Sequence, residues 1–194
     1  MNKLEAGNYN YIFVNIINLN YKNKSYKEYI IMERISKINY YLNIAESVCE
    51  RSTCLLKKWG CLIVKNDEII ATGYNGAPRG RLNCSDLGYC TKRKILPGER
   101  RGGYDACRSV HAEQNALLSA SRKDMIGSSL FLVGISAKNG EYVESPTSCQ
   151  MCRKLIINSG IDAVYVRLNK TEYEKFDVDD WIKNDELLDG KTSY

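Results

Sequence analysis

Val110-His111-Ala112-Glu113-Gln114-Asn115-Ala116-Leu117 stands ahead of an apolar run, Leu130-Phe131-Leu132-Val133, which in turn precedes Ser148-Cys149-Gln150-Met151-Cys152-Arg153-Lys154. The order reads as helix, strand, helix. From His111 to Ser121 the inward positions Ala112, Ala116, Leu117 and Ala120 fall at helical spacing, whereas four consecutive apolar residues suit a short buried strand. Residues 149 to 158 predict a second helix, and Ala163-Val164-Tyr165-Val166 a further strand. Upstream, Ile35, Ile38, Leu42, Ala45 and Cys49 alternate in steps of three and four, one face of a helix that ends near Arg51-Ser52-Thr53. Cys61-Leu62-Ile63-Val64 and Ile69-Ile70-Ala71, joined by Asn66-Asp67, then read as a hairpin. Strand, helix, strand, helix, strand gives two crossover units. The last three strands are therefore expected to be parallel with helices on both faces, and the first hairpin to add an antiparallel edge. The expected fold class is α/β, a three-layer α/β/α sandwich around a mixed five-stranded sheet. Asp177 to Leu188 predicts a short acidic C-terminal helix that packs Trp181 and Leu188.

The same stretches carry chemistry. His111 is the one histidine of the chain. Cys149 and Cys152 are three apart, so both sulfurs share one face of a helix's first turn, where the positive end of the helix favours thiolates. One imidazole and two thiolates suit a zinc ion that keeps a fourth position open for water. Two positions apart, His111 and Glu113 would point to opposite sides of a regular helix, which places His111 at the helix start. An H-x-E followed by P-C-x-x-C is the signature of zinc nucleobase deaminases. A C-x-x-C pair alone fits a redox couple or half of a structural zinc site equally well, but a structural zinc has no use for Glu113, whereas hydrolysis does. Ser148 occupies the place of the signature's proline, with Pro146 two residues earlier. A serine caps a helix about as well as a proline starts one.

A chain of 194 residues suits one domain with extensions. A net charge of +5 and a pI near 8.7 suit an anionic ligand without singling out nucleic acid. No apolar run approaches the roughly 18 to 20 residues that cross a bilayer, so a cytoplasmic protein is expected. Eight cysteines in that compartment speak for metal binding. Residues 1–31 lack a clean period and read as an extension outside the native start, expected at Met32. Residues 32–170 form the expected domain and 171–194 a C-terminal helix and tail. Within the domain, 81–104 reads as a long insertion with glycines, a proline and the basic residues Lys92, Arg93, Lys94, Arg100 and Arg101.

From about Met32 to Asn169 the chain resembles the deoxycytidylate deaminases. The likeness rests on Arg51-Ser52-Thr53-Cys54, Gly73-Tyr74-Asn75-Gly76, His111-Ala112-Glu113-Gln114-Asn115-Ala116 and Leu155-Ile156-Ile157-Asn158-Ser159-Gly160-Ile161. The resemblance implies a cytidine deaminase-like fold and hydrolytic deamination of dCMP to dUMP and ammonia by a zinc-activated hydroxide, as a step toward dTMP. His111, Cys149 and Cys152 would be the metal ligands and Glu113 the proton shuttle. It further implies a second, structural zinc held by Cys54, Cys84, Cys90 and Cys107, while Cys49 and Cys61 sit on core faces. Asn75 matches a sugar-binding asparagine, although Asn-Gly is also plain turn chemistry. Arg51, Ser52 and Lys58 are the candidates for the 5′-phosphate. Similar enzymes form hexamers regulated by dCTP and dTTP. Two alternatives stay open: a deaminase of the same fold acting on cytidine or RNA, and a zinc-stapled nucleic-acid-binding module without catalysis. For the expected enzyme, the partner is a free nucleotide, with no membrane and no stable nucleic-acid complex.

Overall fold

The computed structural model describes residues 34–98, 104–185 and 188. The extension 1–31 and its expected start at Met32 lie outside them. Five strands form one sheet: β1 (Lys57–Lys65), β2 (Glu68–Tyr74), β3 (Ser129–Ser136), β4 (Ala163–Arg167) and β5 (Tyr173–Asp177), in the order β2-β1-β3-β4-β5. Among the described residues seven α-helices accompany them: α1 (Lys37–Cys49), α2 (Cys84–Leu87), α3 (Thr91–Ile95), α4 (Ala112–Leu117), α5 (Arg122–Met125), α6 (Gln150–Ser159) and α7 (Val178–Lys183). The mixed five-stranded α/β/α class is the one expected.

The hairpin forms the antiparallel edge of the sheet, as expected, with β2 outermost. β1 pairs antiparallel with both β2 and β3, so it lies inside the sheet and β2 takes the edge. β2, β3 and β4 do run one way, but only β3 and β4 are parallel neighbours. At the hairpin turn Asn66 and Asp67 both hold positive φ, 51° and 66°, which folds β2 directly back onto β1. The fifth strand comes from the expected C-terminal tail. Tyr-Glu-Lys-Phe-Asp at 173–177 pairs antiparallel with β4, and its mostly exposed side chains give no apolar alternation to read.

Each face of the sheet has its own core. Leu62, Val64, Phe131 and Val133 meet Tyr41, Leu42, Ala45 and Cys49 of α1. Cys61, Ile63, Leu130, Leu132, Val164 and Val166 meet Ala112, Ala116, Ile156 and Val178 on the other side. Burying one such aliphatic side chain contributes about 1.5–3 kcal/mol. Ile35 precedes the first turn of α1 and is 49% exposed; Tyr41 takes the fourth inward position instead. α4 stops at Leu117, short of Ser121. The Ser119 hydroxyl donates back to the Asn115 carbonyl at 2.7 Å, and Ser121 accepts from the Asp124 N–H to start α5. α7 ends at Lys183, so Trp181 packs on the core as expected whereas Leu188 is 86% exposed.

Candidate active site

The start of α4 is fixed from three sides. Gly76 and Val110 exchange two backbone hydrogen bonds, of 3.2 and 2.8 Å. Asn115 donates from Nδ2 to the Tyr74 carbonyl at 2.7 Å. Gly73, at the end of β2, lies so close to α4 that a Cβ there would sit 2.2 Å from the Ala112 carbonyl oxygen. His111 then caps the helix with extended backbone (φ −70°, ψ 155°), and its N–H donates to Gln114 Oε1 at 3.1 Å. The histidine therefore stands just outside the regular turns, as its spacing from Glu113 requires.

Cys149 occupies the same position on α6, with φ −67° and ψ 161°, and Cys152 follows one turn later, fully buried. His111 Nδ1 lies 3.5 Å from Cys149 Sγ and 3.4 Å from Cys152 Sγ. Among the described residues these three form the group whose ligand atoms all fall within 4.8 Å of one another. Cys152 hydrogen-bonds to Cys149, which holds the Cys149 thiol well below its ordinary value despite burial, with His111 helping. The same bond, reinforced by burial and by the Glu113 and Cys149 charges, pushes Cys152 far up. Two sulfurs sharing one proton beside a ring nitrogen form a donor set that a divalent cation completes by displacing that proton. Zinc fits these residues.

Glu113 is 5% exposed, one residue inside α4. Burial raises its pKa, opposed in part by His111 and by its own backbone N–H. Burial alone would lower the pKa of His111, but the Cys149 hydrogen bond and the Glu113 charge outweigh it and leave a net rise. A carboxyl of raised pKa next to a cation site can take up and return a proton near neutral pH.

The other candidates divide. Asn75 is buried, and its side chain is engaged: Oδ1 accepts from Ser52 Oγ at 2.5 Å and from Trp59 N–H at 2.8 Å, while Nδ2 donates to the Lys57 carbonyl at 2.9 Å. The structure thus assigns Asn75 and Ser52 a clamp between the α1–β1 connection and the loop after β2. Arg51 is exposed and Lys58 half-buried on β1. Cys54, Cys84, Cys90 and Cys107 are drawn together closely enough that each of the other three thiols raises the Cys84 pKa, although burial is the largest cause. Cys49 and Cys61 are core residues, 1% and 0% exposed.

Sequence reasoning missed Tyr104. It begins a 3-10 turn, Tyr104–Ala106, and its ring meets His111 edge-on at 4.7 Å and 67°. A single turn inside a loop has no period to detect. Arg153 was missed as well: it donates from Nε to the Ser148 carbonyl and from its terminal nitrogen to Thr147 Oγ1, both at 3.0 Å, while its guanidinium lies 4.9 Å from the Trp181 ring. It braces the turn that delivers Cys149.

Residues 35–168 match the family described as the cytidine and deoxycytidylate deaminase zinc-binding region. A deoxycytidylate deaminase of Mycobacterium phage D29 is 36% identical over 137 residues, covering 69% of this chain and 95% of the phage protein. A deoxycytidylate deaminase of Saccharomyces cerevisiae is 33% identical over 78% of this chain but 44% of its own length, so the chain spans less than half of that relative. A solved structure, the dCMP deaminase of cyanophage S-TIM5 in complex with dCMP and dUMP, is 30% identical over 66% of this chain and 78% of that one, with a TM-score of 0.45.

Proposed function

The chain belongs to the cytidine and deoxycytidylate deaminase zinc-binding family, and on that premise we propose that it hydrolyses deoxycytidylate to deoxyuridylate and ammonia. The observation that carries the reading is the meeting of His111, Cys149 and Cys152 around one point beside buried Glu113. These three residues would hold zinc, which when bound supplies a Lewis acid that lowers the pKa of water. Glu113 accepts the proton of the attacking water as its oxygen adds to C4 of the cytosine ring. The same carboxyl then protonates N3, takes up the proton of the new C4 hydroxyl as the carbonyl forms, and delivers that proton to the departing amine as the C4–N4 bond breaks. One water enters and one ammonia leaves, so Glu113 ends as it began.

A free nucleotide suits the site better than RNA. The Tyr104 turn of the insertion lies against His111, which favours an enclosed mouth over an open one. Asn75 shapes the sugar wall with its remaining amide N–H, and Arg51 and Lys58 serve the 5′-phosphate, whereas Ser52, whose O–H and N–H are spent on Asn75 and Cys49, shapes the wall behind them. Cys54, Cys84, Cys90 and Cys107 hold a second, structural zinc that orders the insertion. Two hydrogen bonds support this by tying the first pair together: Thr53 Oγ1 to Asn83 Oδ1 at 3.0 Å and Ser85 N–H to the Thr53 carbonyl at 3.2 Å. The enzyme works in the cytoplasm as a homo-oligomer, on the hexamer plan, with dCTP and dTTP as effectors. Exposed Leu118, Leu155 and Ile182 supply apolar surface for assembly. No helix of the described residues is long and apolar enough to cross a membrane.

Incubating zinc-loaded protein separately with dCMP, CMP, deoxycytidine and a transfer RNA, and following ammonia, tests the substrate. Release from dCMP above all others is expected; release from RNA alone, or from none, overturns the reading. Zinc counted on the same sample should reach two per chain, and one per chain removes the structural site.

A further inference from the structure

The His111 ring is held by polar groups from one side. Nδ1 faces the two sulfurs, 3.5 Å from Cys149 and 3.4 Å from Cys152, and among the described residues no hydrogen bond reaches Nε2. A ligating imidazole is ordinarily kept in its plane by a hydrogen bond at the nitrogen that faces away from the metal. What meets the His111 ring instead is Tyr104, with centroids 4.7 Å apart and 67° between the planes, the edge-to-face arrangement that aromatic pairs favour. Tyr104 is in turn held by the insertion. The Cys107 N–H donates to the Tyr104 carbonyl at 2.9 Å and closes the turn. Thr91 Oγ1 donates to the Ala106 carbonyl at 3.2 Å and ties the turn to the start of α3, from which Lys92 Nζ lies 5.6 Å from the Tyr104 ring centroid. The neighbours of Cys90 and Cys107 thus fix where the tyrosine stands.

We propose that Tyr104 is a positioning residue for His111: its ring stops the imidazole from turning about its Cβ–Cγ bond and keeps Nδ1 toward Cys149 and Cys152. The order of the insertion thereby sets how tightly the metal site holds its ion. A ring that turns away removes one ligand of three, and the ion then leaves faster. The aromatic ring carries this role, so phenylalanine can replace tyrosine and leucine cannot. The inference rests on the reading of His111, Cys149 and Cys152 as zinc ligands.

The test follows zinc leaving the untagged, fully loaded protein to a chromogenic chelator, the share of the triad being the phase that Cys149→Ser lacks. Tyr104→Leu should release that zinc about tenfold faster than the parent, the lower end of what a lost outer partner of a metal ligand costs. Tyr104→Phe keeps the ring and should stay within about twofold. Thr91→Val removes the hydroxyl that ties the turn and should quicken release about threefold, which keeps the proposal testable if Tyr104→Leu fails to fold. A parental rate for Tyr104→Leu, or one no faster than that of Tyr104→Phe, overturns the proposal. A tyrosine that merely stabilises the insertion predicts a lower melting temperature with the phase of the triad unmoved, and that result overturns it too. The contact also has a readout that needs no zinc exchange. The chain has one histidine, so the ring protons of a histidine-labelled sample are assigned without ambiguity. Their resonances should move in Tyr104→Leu, through loss of the tyrosine ring current, and hold in Tyr104→Phe; identical spectra for all three proteins remove the contact and the role with it. A parent that holds no zinc at the triad overturns the ligand reading, whereas a parent that holds it while every variant releases it alike overturns this inference alone.

Discussion

Arg167 and Glu113 lie on opposite sides of the sheet, are 0% and 5% exposed, and are treated in opposite ways. Arg167 is surrounded: Nη1 donates to Asn39 Oδ1 and to the carbonyls of Asn169 and Lys170, and Nη2 to the Asn39 carbonyl and Asn43 Oδ1. Glu113 is buried with a raised pKa, offset only in part by the charge of His111 and by its own backbone N–H. A buried charge needs compensation in either case. Where the chain supplies nearly all of it, the group is scaffold, tying α1 to the β4–β5 turn. Where the chain withholds it, the balance is left to what enters the site.

Glu113→Gln gives the sharpest contrast and the largest effect. The amide keeps the shape but cannot carry the proton, so kcat on dCMP should fall by at least about 10³-fold, within the span of general acid–base catalysis. Zinc content and melting temperature should be unchanged or higher. A variant that keeps near-native turnover would make Glu113 another scaffold residue and erase the distinction.

Arg167→Met should do the converse. It removes the donors and strands the Asn39 and Asn43 side chains and three carbonyls, a loss of about 3 kcal/mol. Melting should fall by roughly 10 °C. Turnover per folded molecule should stay within about twofold, because α1 lies across the sheet from the site. A specific loss of kcat at full folding would show the two faces to be coupled.

The contrast also explains what the sequence made legible. That His111, Cys149 and Cys152 would meet could be read because a candidate metal site ties residue type to spacing. The helices and strands that carry them could be read because burial writes a period into the chain. β5 could not, since an edge strand with exposed Tyr173, Glu174 and Lys175 needs no apolar alternation. Nor could Arg167, whose partners Asn39 and Asn43 lie more than a hundred residues away and look like ordinary surface asparagines. Asn75 shows the middle case. Its place in the loop was legible, but the bonds that occupy its side chain depend on where β1 ends up.

The smallest effect expected is on the alkaline limb of stability, and it belongs to the scaffold side. Tyr142 sits beside Arg167 and donates to Glu46 at 2.9 Å; burial, that hydrogen bond and the Glu46 charge together push its pKa from 10.0 to about 12. The folded value lies above the unfolded one, so the stability it contributes is fully present below pH 10 and is lost as pH rises through about 12. Burial lowers the Arg167 pKa, and any slope it adds at the top of that window is common to the parent and Tyr142→Phe. Melting followed by circular dichroism from pH 10 to pH 12 should therefore decline less steeply for Tyr142→Phe than for the parent. Some slope must persist, because Cys49, raised by burial from 9.0 to about 12, titrates in the same range. If the two proteins decline in parallel, Tyr142 is not part of the network, and the compensation around Arg167, whose Nε has no hydrogen-bond partner, ends at the asparagines and carbonyls of α1 and the β4–β5 turn.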